Sequence, residues 1–319
     1  MAQAHQAVVT SEFVFEQAPF ASCHASTIAE TPAGLVCAWF AGTAEGRPDV
    51  EIWLSQNTGS GWAPPLPVAS GAQPDGGRFP CWNPVLFQAK AGPLLLFYKV
   101  GPNPREWWGM VKTSPDGGNT WSPARRLPQG ILGPIKNKPV LLPDGSLLCG
   151  SSTEHDGWRV HMERTADLGK TWEKTAPLND GAALAAIQPT ILVYPSGRMQ
   201  ILCRTHQGRI AEAWSDGDWK TWSELRLTAL PNPNSGIDAT MLPDGRALLV
   251  YNHSQTARTP LNVALSADGT AWRSALVLED EPGEYSYPAV IVASDGLVHI
   301  TYTWRRERIK HIVLDPRRL

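Results

Sequence analysis

Six polar residues recur at one offset along this 319-residue chain, each just before a short apolar hairpin: His24, Asn83, Lys138, Gln188, Asp238 and Tyr287. Strands that pack against neighbours seldom carry such groups, because burying a polar side chain without a partner costs free energy. Together the six would supply an imidazole, a phenol, a carboxylate, an amine and two amides, a set able to hold a polar ligand and move protons on it. Close to the same strand ends lie Arg78, Lys136, Asn137, Glu154, His155, Arg204, Arg209, His253, Arg258 and Tyr285. Basic groups outnumber acids there although the whole chain has a net charge of −2, so the expected ligand is an anion. Planar guanidinium forks suit a carboxylate best where water is excluded.

Residues hundreds of positions apart form one site only if the chain is periodic, and it is. The segment Ser/Thr-x-Asp-x-Gly-x-Thr-Trp occurs at 114–121 (SPDGGNTW) and 165–172 (TADLGKTW), with degenerate copies ending at Trp62, Trp222 and Trp272. Gly34, Gly92, Gly145, Gly197, Gly245 and Gly296 mark hairpin turns with the same period of roughly 50 residues. Each copy reads as four antiparallel strands, and helical periodicity is absent. Such a sheet buries both faces only by stacking on its neighbours, and closing the ring removes the exposed ends, which predicts a six-bladed β-propeller over 1–319. The stretch 7–15 is expected to close the last blade. In each box the Trp is expected to wedge between blades while the Asp and Ser/Thr bond the turn.

In a ring of this kind the first strand of each blade lines the axis, so the six offset residues should face one funnel; a water-filled channel would call for the same polarity. Trp107 and Trp108, in the loop GPNPREWWG, are expected either to form a sugar-stacking rim or to pack between blades. A balance of 28 basic against 30 acidic residues leaves no field for gripping phosphates, so nucleic acid is not an expected partner. No apolar run is long enough for a spanning helix, and the first residues lack the basic and apolar regions of a secretory leader, which gives a cytoplasmic expectation without membrane contact. The five cysteines are scattered through apolar strands and are expected to be reduced and buried. No metal-ligand spacing occurs, and no cofactor is expected.

The boxes resemble the Asp-box (BNR) repeats of the sialidase (neuraminidase) superfamily, and the chain from about Phe13 to Leu314 looks like its bacterial predicted-neuraminidase branch. That resemblance implies an exo-acting glycoside hydrolase in which arginines hold a substrate carboxylate, a Tyr–Glu pair supplies the nucleophile and an Asp the acid/base. It assigns Arg258 and either Arg209 or Arg204 to the clamp, Tyr285 or Tyr287 to the nucleophile, and Asp49, with Glu45 as alternative, to the acid. Glu212 is assigned as the partner of the tyrosine. The family's first arginine has His24 in its place, which points away from sialic acid towards another terminal acidic or acid-adjacent sugar of an oligosaccharide or polysaccharide. Two alternatives stand beside hydrolysis. One is β-elimination next to a uronate, of the rhamnosyl-glucuronate type, with His24 or a Tyr as base and Lys138, Arg204 or Arg258 neutralising the carboxylate. The other is a propeller that binds sugar without turning it over.

Overall fold

A computed structural model describes residues 5–319, which form six four-stranded antiparallel sheets arranged as the blades of a propeller. Five blades are contiguous in sequence, at 22–69, 81–126, 140–174, 186–231 and 238–279. The sixth takes its three inner strands from 285–314 and its outer strand from the other end of the chain: Val8–Phe13 pairs antiparallel with Arg308–Leu314. No helix among the described residues is long and apolar enough to cross a membrane.

The core is not one mass but six wedges, one at each junction between neighbouring blades. Blades 1 and 2, for example, share a cluster containing Ala38, Phe40, Ile52, Leu86, Leu96 and Tyr98. Blades 5 and 6 share Leu248, Val263, Val290, Ile300 and Tyr302. Val14, Phe15, Cys23, Trp39 and Ile309 seal the junction of the last blade with the first. A blade has both faces apolar for this reason, and removal from the ring would expose both. All five cysteines are buried and unbridged, and burial raises their thiols well above the usual range.

The boxes do what their residue types suggest. In blade 2 the Asp116 carboxylate accepts from the Ser114 hydroxyl at 2.8 Å, the Thr120 amide at 2.8 Å and the Thr120 hydroxyl at 2.6 Å. These bonds, those from Thr120 foremost, hold the carboxyl down at about 2. The Trp121 indole donates to Gly118 O and packs on the blade 1–2 cluster. The boxes of blades 3 and 5 repeat the pattern with Asp167 and Trp172, and Asp268 and Trp272.

The inner strands carry a second periodic device. In blades 1, 2, 4 and 6 the pairing register breaks near the strand start, and one residue at each break has positive φ: Ala25 (55°), Asn83 (37°), Gln188 (56°) and Tyr287 (53°). A non-glycine side chain in this region is strained, and a bulge re-aims what it carries. The equivalent place in blade 1 is thus Ala25, one residue beyond the expected His24. Polar side chains lie on either side of these breaks rather than at one uniform offset.

Candidate functional site

Tyr287 stands at the centre of a cluster of polar and charged side chains drawn from several blades. Its αL backbone breaks the strand alternation, so Tyr285 and Tyr287 do not point the same way, contrary to the simple two-residue rule. Tyr285 packs into the blade 5–6 cluster, and its hydroxyl accepts from Arg305 at 3.2 Å. Tyr287 turns towards blade 1, where its ring lies 4.1 Å from that of His24. Three cations converge on the Tyr287 ring from three further blades or their connections: Arg204 at 5.4 Å, Arg258 at 5.6 Å and Lys136 at 5.9 Å.

Each of these cations is held differently. Arg204, at the end of the second strand of blade 4, donates to the Tyr287 hydroxyl, to Gln188 Oε1 at 3.2 Å and to Asn234 through its side-chain and main-chain oxygens. Lys136 is buried, with its ammonium on Asn137 Oδ1 and the carbonyls of Ile237 and Pro288. Arg204 and Lys136 therefore have only neutral hydrogen-bond partners. Burial brings the Lys136 amine down to about 7, with Asp238 opposing that shift and Lys138 and Arg204 adding to it. Arg258 pairs through Nη1 with Glu284 at 2.7 Å, and the same carboxylate oxygen accepts from Arg306 at 2.7 Å and from Ser286. Arg306 continues to Glu45 at 2.6 Å, so a charge ladder crosses the seam between blades 6 and 1. Burial alone would raise the Glu284 carboxyl, but Arg306 and Arg258 outweigh it and hold it below its usual range.

His24 is buried, its Nδ1 on the Thr303 hydroxyl at 2.9 Å. Burial first, and then the charges of Arg306, Arg258, Arg204 and Lys136, push its pKa well below that of a free imidazole. The ring is accordingly a neutral base at physiological pH.

Other expected residues serve elsewhere. Lys138 and Asp238 form an ion pair at 3.0 Å, and Asp238 also accepts from Thr190 Oγ1 and Val290 N, so the two brace blades 3 to 6 instead of offering free groups. Glu212 is not a partner of either tyrosine: Gln200, Trp214 and Arg226 surround its carboxylate on the box side of blade 4. Its place on the third strand, two registers from the pocket end, takes it away from the axis. Asp49 accepts from the amide and hydroxyl of Thr43 at 2.8 and 2.9 Å, closing its own loop. Although burial opposes it, those bonds keep the exposed Asp49 carboxyl below its usual range. Arg78 is tied to Glu51 and Pro48 O, Arg209 is exposed, and His253 bonds the Tyr251 hydroxyl. Asn83 is buried at the blade 2 break, and Gln188 serves as an acceptor for Arg204.

Four pocket residues escaped the sequence reading: Glu284, Arg306, Asn234 and Trp158. Arg306 lies in the hairpin turn after the second strand of blade 6, whereas the residue that matches Arg204 of blade 4 in register is Thr303, so no repeat offset pointed to it. Asn234 and Trp158 lie in connections of irregular length, where no repeat offset applies. Trp107 meets Trp82 at 6.0 Å, and Trp108 packs on Phe79 and under Arg126. Both also line a cavity of about 360 Å³ between blades 2 and 3, which has His155 and Glu154 on its other side.

The sequence matches the family described as BNR repeat-like domain over residues 33–300. Among solved structures, a protein of unknown function from Dyadobacter fermentans superposes with a TM-score of 0.80 at 18% identity, covering 97% of this chain and 98% of that one. The NanB sialidase of Streptococcus pneumoniae gives 0.77 at 13% identity, over 97% of this chain and 71% of its own. An intramolecular trans-sialidase from Ruminococcus gnavus gives 0.76 at 14% identity, over 98% and 99%. No curated protein matches by sequence. At these identities the likeness establishes the six-bladed fold and nothing about substrate.

Proposed function

Since the chain belongs to the BNR repeat-like family of sialidase-fold propellers, we propose that its axial pocket is the active centre of an exo-acting glycoside hydrolase taking a terminal acidic sugar from an oligosaccharide. The observation that carries this reading is the meeting of Arg204, Arg258 and Lys136 on Tyr287, with neutral partners around Arg204 and Lys136. Two uncompensated cations in a recess favour an anion. Arg204 spends its donors on Asn234, Gln188 and Tyr287, whereas Arg258 engages Glu284 through Nη1 alone. Its remaining N–H groups are the fork for the sugar's carboxylate, oriented by Glu284, while Arg204 orients the nucleophile.

In this reading the Tyr287 oxygen attacks the anomeric carbon and its proton passes to the neutral imidazole of His24, which takes the role expected of Glu212. A phenol is a fitting nucleophile beside a substrate carboxylate, because it avoids the repulsion that an ionised Asp or Glu would meet. Water then releases the sugar from the tyrosine, with the His24 proton returned to the phenolate.

Elimination is the second reading, and one feature favours it: His24, a buried neutral base, lies beside the carboxylate-binding cations gathered at Tyr287. One experiment separates the readings. Incubation with oligosaccharides ending in uronic or sialic acid, and with others carrying a rhamnose on O4 of a glucuronate, followed by mass and ultraviolet analysis, gives products heavier in sum by one water for hydrolysis and an absorbing unsaturated uronate with released rhamnose for elimination. Saturable binding without product after prolonged incubation would rule out both.

A further inference from the structure

The cavity between blades 2 and 3 shares no residue with the Tyr287 cluster, and the reaction assigned to that cluster leaves it unused. We propose that this cavity is a second, non-catalytic binding site, which holds an acidic sugar unit of a polysaccharide chain by its carboxylate and by the apolar face of its ring. The inference goes beyond the hydrolase reading and does not depend on turnover at Tyr287.

Three cations, Arg105, Arg126 and Lys174, reach the walls of this cavity, against one carboxylate, that of Glu154. None of the three pairs with a carboxylate among the described residues: Arg126 lies over the Trp108 ring at 4.6 Å, Lys174 donates to the Gly130 carbonyl at 2.9 Å, and Arg105 acts on Glu154 only at a distance, through its charge. These contacts hold the charges in place without neutralising them. The acids nearest in sequence are engaged elsewhere. Glu106 accepts from Asn103 Nδ2 at 2.8 Å, Asp156 pairs with Arg159 at 3.2 Å, and Glu173 pairs with Arg164 and Lys220. Like charges gathered on one concave surface, with no counter-ion of their own, attract an anion.

Trp107 and Trp108 line the same cavity half-buried, whereas the box tryptophans spend their indole N–H on a glycine carbonyl. An indole offers a flat apolar surface and one donor, which match the C–H face and a hydroxyl of a pyranose, and Glu154 offers an acceptor for further hydroxyls. The facing wall is already fixed. The Leu127 amide donates to Gly109 O at 2.8 Å, and the buried Glu163 carboxylate accepts from the amides of Leu132 and Gly133 at 3.1 and 2.6 Å. Such a wall need not be ordered when a ligand arrives, so less binding free energy is lost. The volume of about 360 Å³ falls in the usual range for small-ligand sites, roughly 300–1,000 Å³. Part of the lining comes from the connections between the second and third strands of blades 2 and 3, and Arg204 ends the second strand of blade 4. Blade topology therefore puts cavity and Tyr287 cluster at the same end of the ring, where a site of this kind would retain the polymer.

The test is equilibrium binding of tetragalacturonate, followed by calorimetry and tryptophan fluorescence, in the wild type and in Arg258→Ala, which lacks the carboxylate fork assigned at Tyr287. Saturable binding is expected to persist in Arg258→Ala, to weaken at least about tenfold when the carboxylates of the same oligomer are methyl-esterified, and to decline as salt rises. On that background Arg105→Gln with Arg126→Gln is expected to weaken it by about tenfold or more, and Trp107→Ala by about fivefold, the scale of one aromatic contact. Equal binding of acid and ester, undiminished binding by the Arg105→Gln/Arg126→Gln protein, or equal binding of an oligoglutamate of the same charge would overturn the inference. So would loss of all binding in an Arg258→Ala protein that melts as the wild type does. Unchanged melting temperatures of the cavity variants exclude misfolding as the source of a loss. Because binding is read without turnover, a wild type that cleaves no glycoside would count against the hydrolase reading alone.

Discussion

Tyr285 and Tyr287 differ by two positions, and at the residue scale their fates differ because one backbone dihedral intervenes. Tyr287→Phe is expected to lower turnover at least about a thousandfold while costing about 1 kcal/mol of stability, the worth of its bond with Arg204. Tyr285→Phe is expected to retain turnover, since its hydroxyl bonds Arg305 within blade 6 and lies away from the Tyr287 cluster. Kinetics beside melting curves check both, and the reverse ranking would shift the nucleophile to Tyr285. Lys136 gives a pH dependence of definite sign. With its amine at about 7, it is cationic below that pH and neutral above, so affinity for an acidic ligand is present below and declines as pH rises through about 7. In Lys136→Met the affinity is expected to be weaker throughout and flat across that window, which titration of a bound uronate at a series of pH values would measure. His24, held well below its free value, contributes no step there.

At the scale of the element, two devices recur, one towards each end of the blade. The box fastens a turn and inserts a tryptophan, and the bulge on the inner strand aims side chains at the axis. They are separable. Trp272 packs on the blade 4–5 cluster and donates to Gly269 O at 3.0 Å, remote from Tyr287. Trp272→Ala is expected to destabilise the protein by about 2–3 kcal/mol, less than a fully buried Trp because the ring is half-buried, with kcat and KM unchanged below the unfolding transition. Denaturant melts and initial rates would show it, and a change in KM without loss of stability would contradict the division of labour. The box was legible because its spacing is rigid: an eight-residue turn needs its Asp, Gly and Trp at fixed places. The bulge was not, because positive φ at Ala25, Gln188 or Tyr287 leaves no mark in residue type when the residue is not glycine.

On the scale of the molecule, the site straddles the seam where the ring closes. His24 comes from blade 1 and Tyr287, Glu284 and Arg306 from blade 6 or its connections, and the Cys23 amide bonds the carbonyl of Arg306 across that junction. The strand Val8–Phe13 completes blade 6 beside the seam. A chain beginning after Phe13 is expected to lose cooperative melting and turnover together, since an opened edge exposes both an unpaired strand and the blade 6–1 wedge. Calorimetry and light scattering would follow this, and a truncated chain that melts sharply and turns over substrate would show that closure is dispensable.

The sequence by itself determined the architecture and the polarity of the axis, because period, turn chemistry and apolar runs are local properties that repeat until only a closed ring buries them all. It also determined that Arg204, Arg258, Lys136, His24 and Tyr287 belong near one another. Which of those groups are free to act was decided only in three dimensions. Lys138 and Asp238 neutralise each other, Glu212 is taken by Arg226, and Asp49 by Thr43, while Glu284, Arg306 and Trp158 enter from connections outside the repeat. The reason is physical: a side chain's partners lie across blades, at sequence separations that no period encodes, and pairing rather than residue type determines whether a charge remains for a ligand.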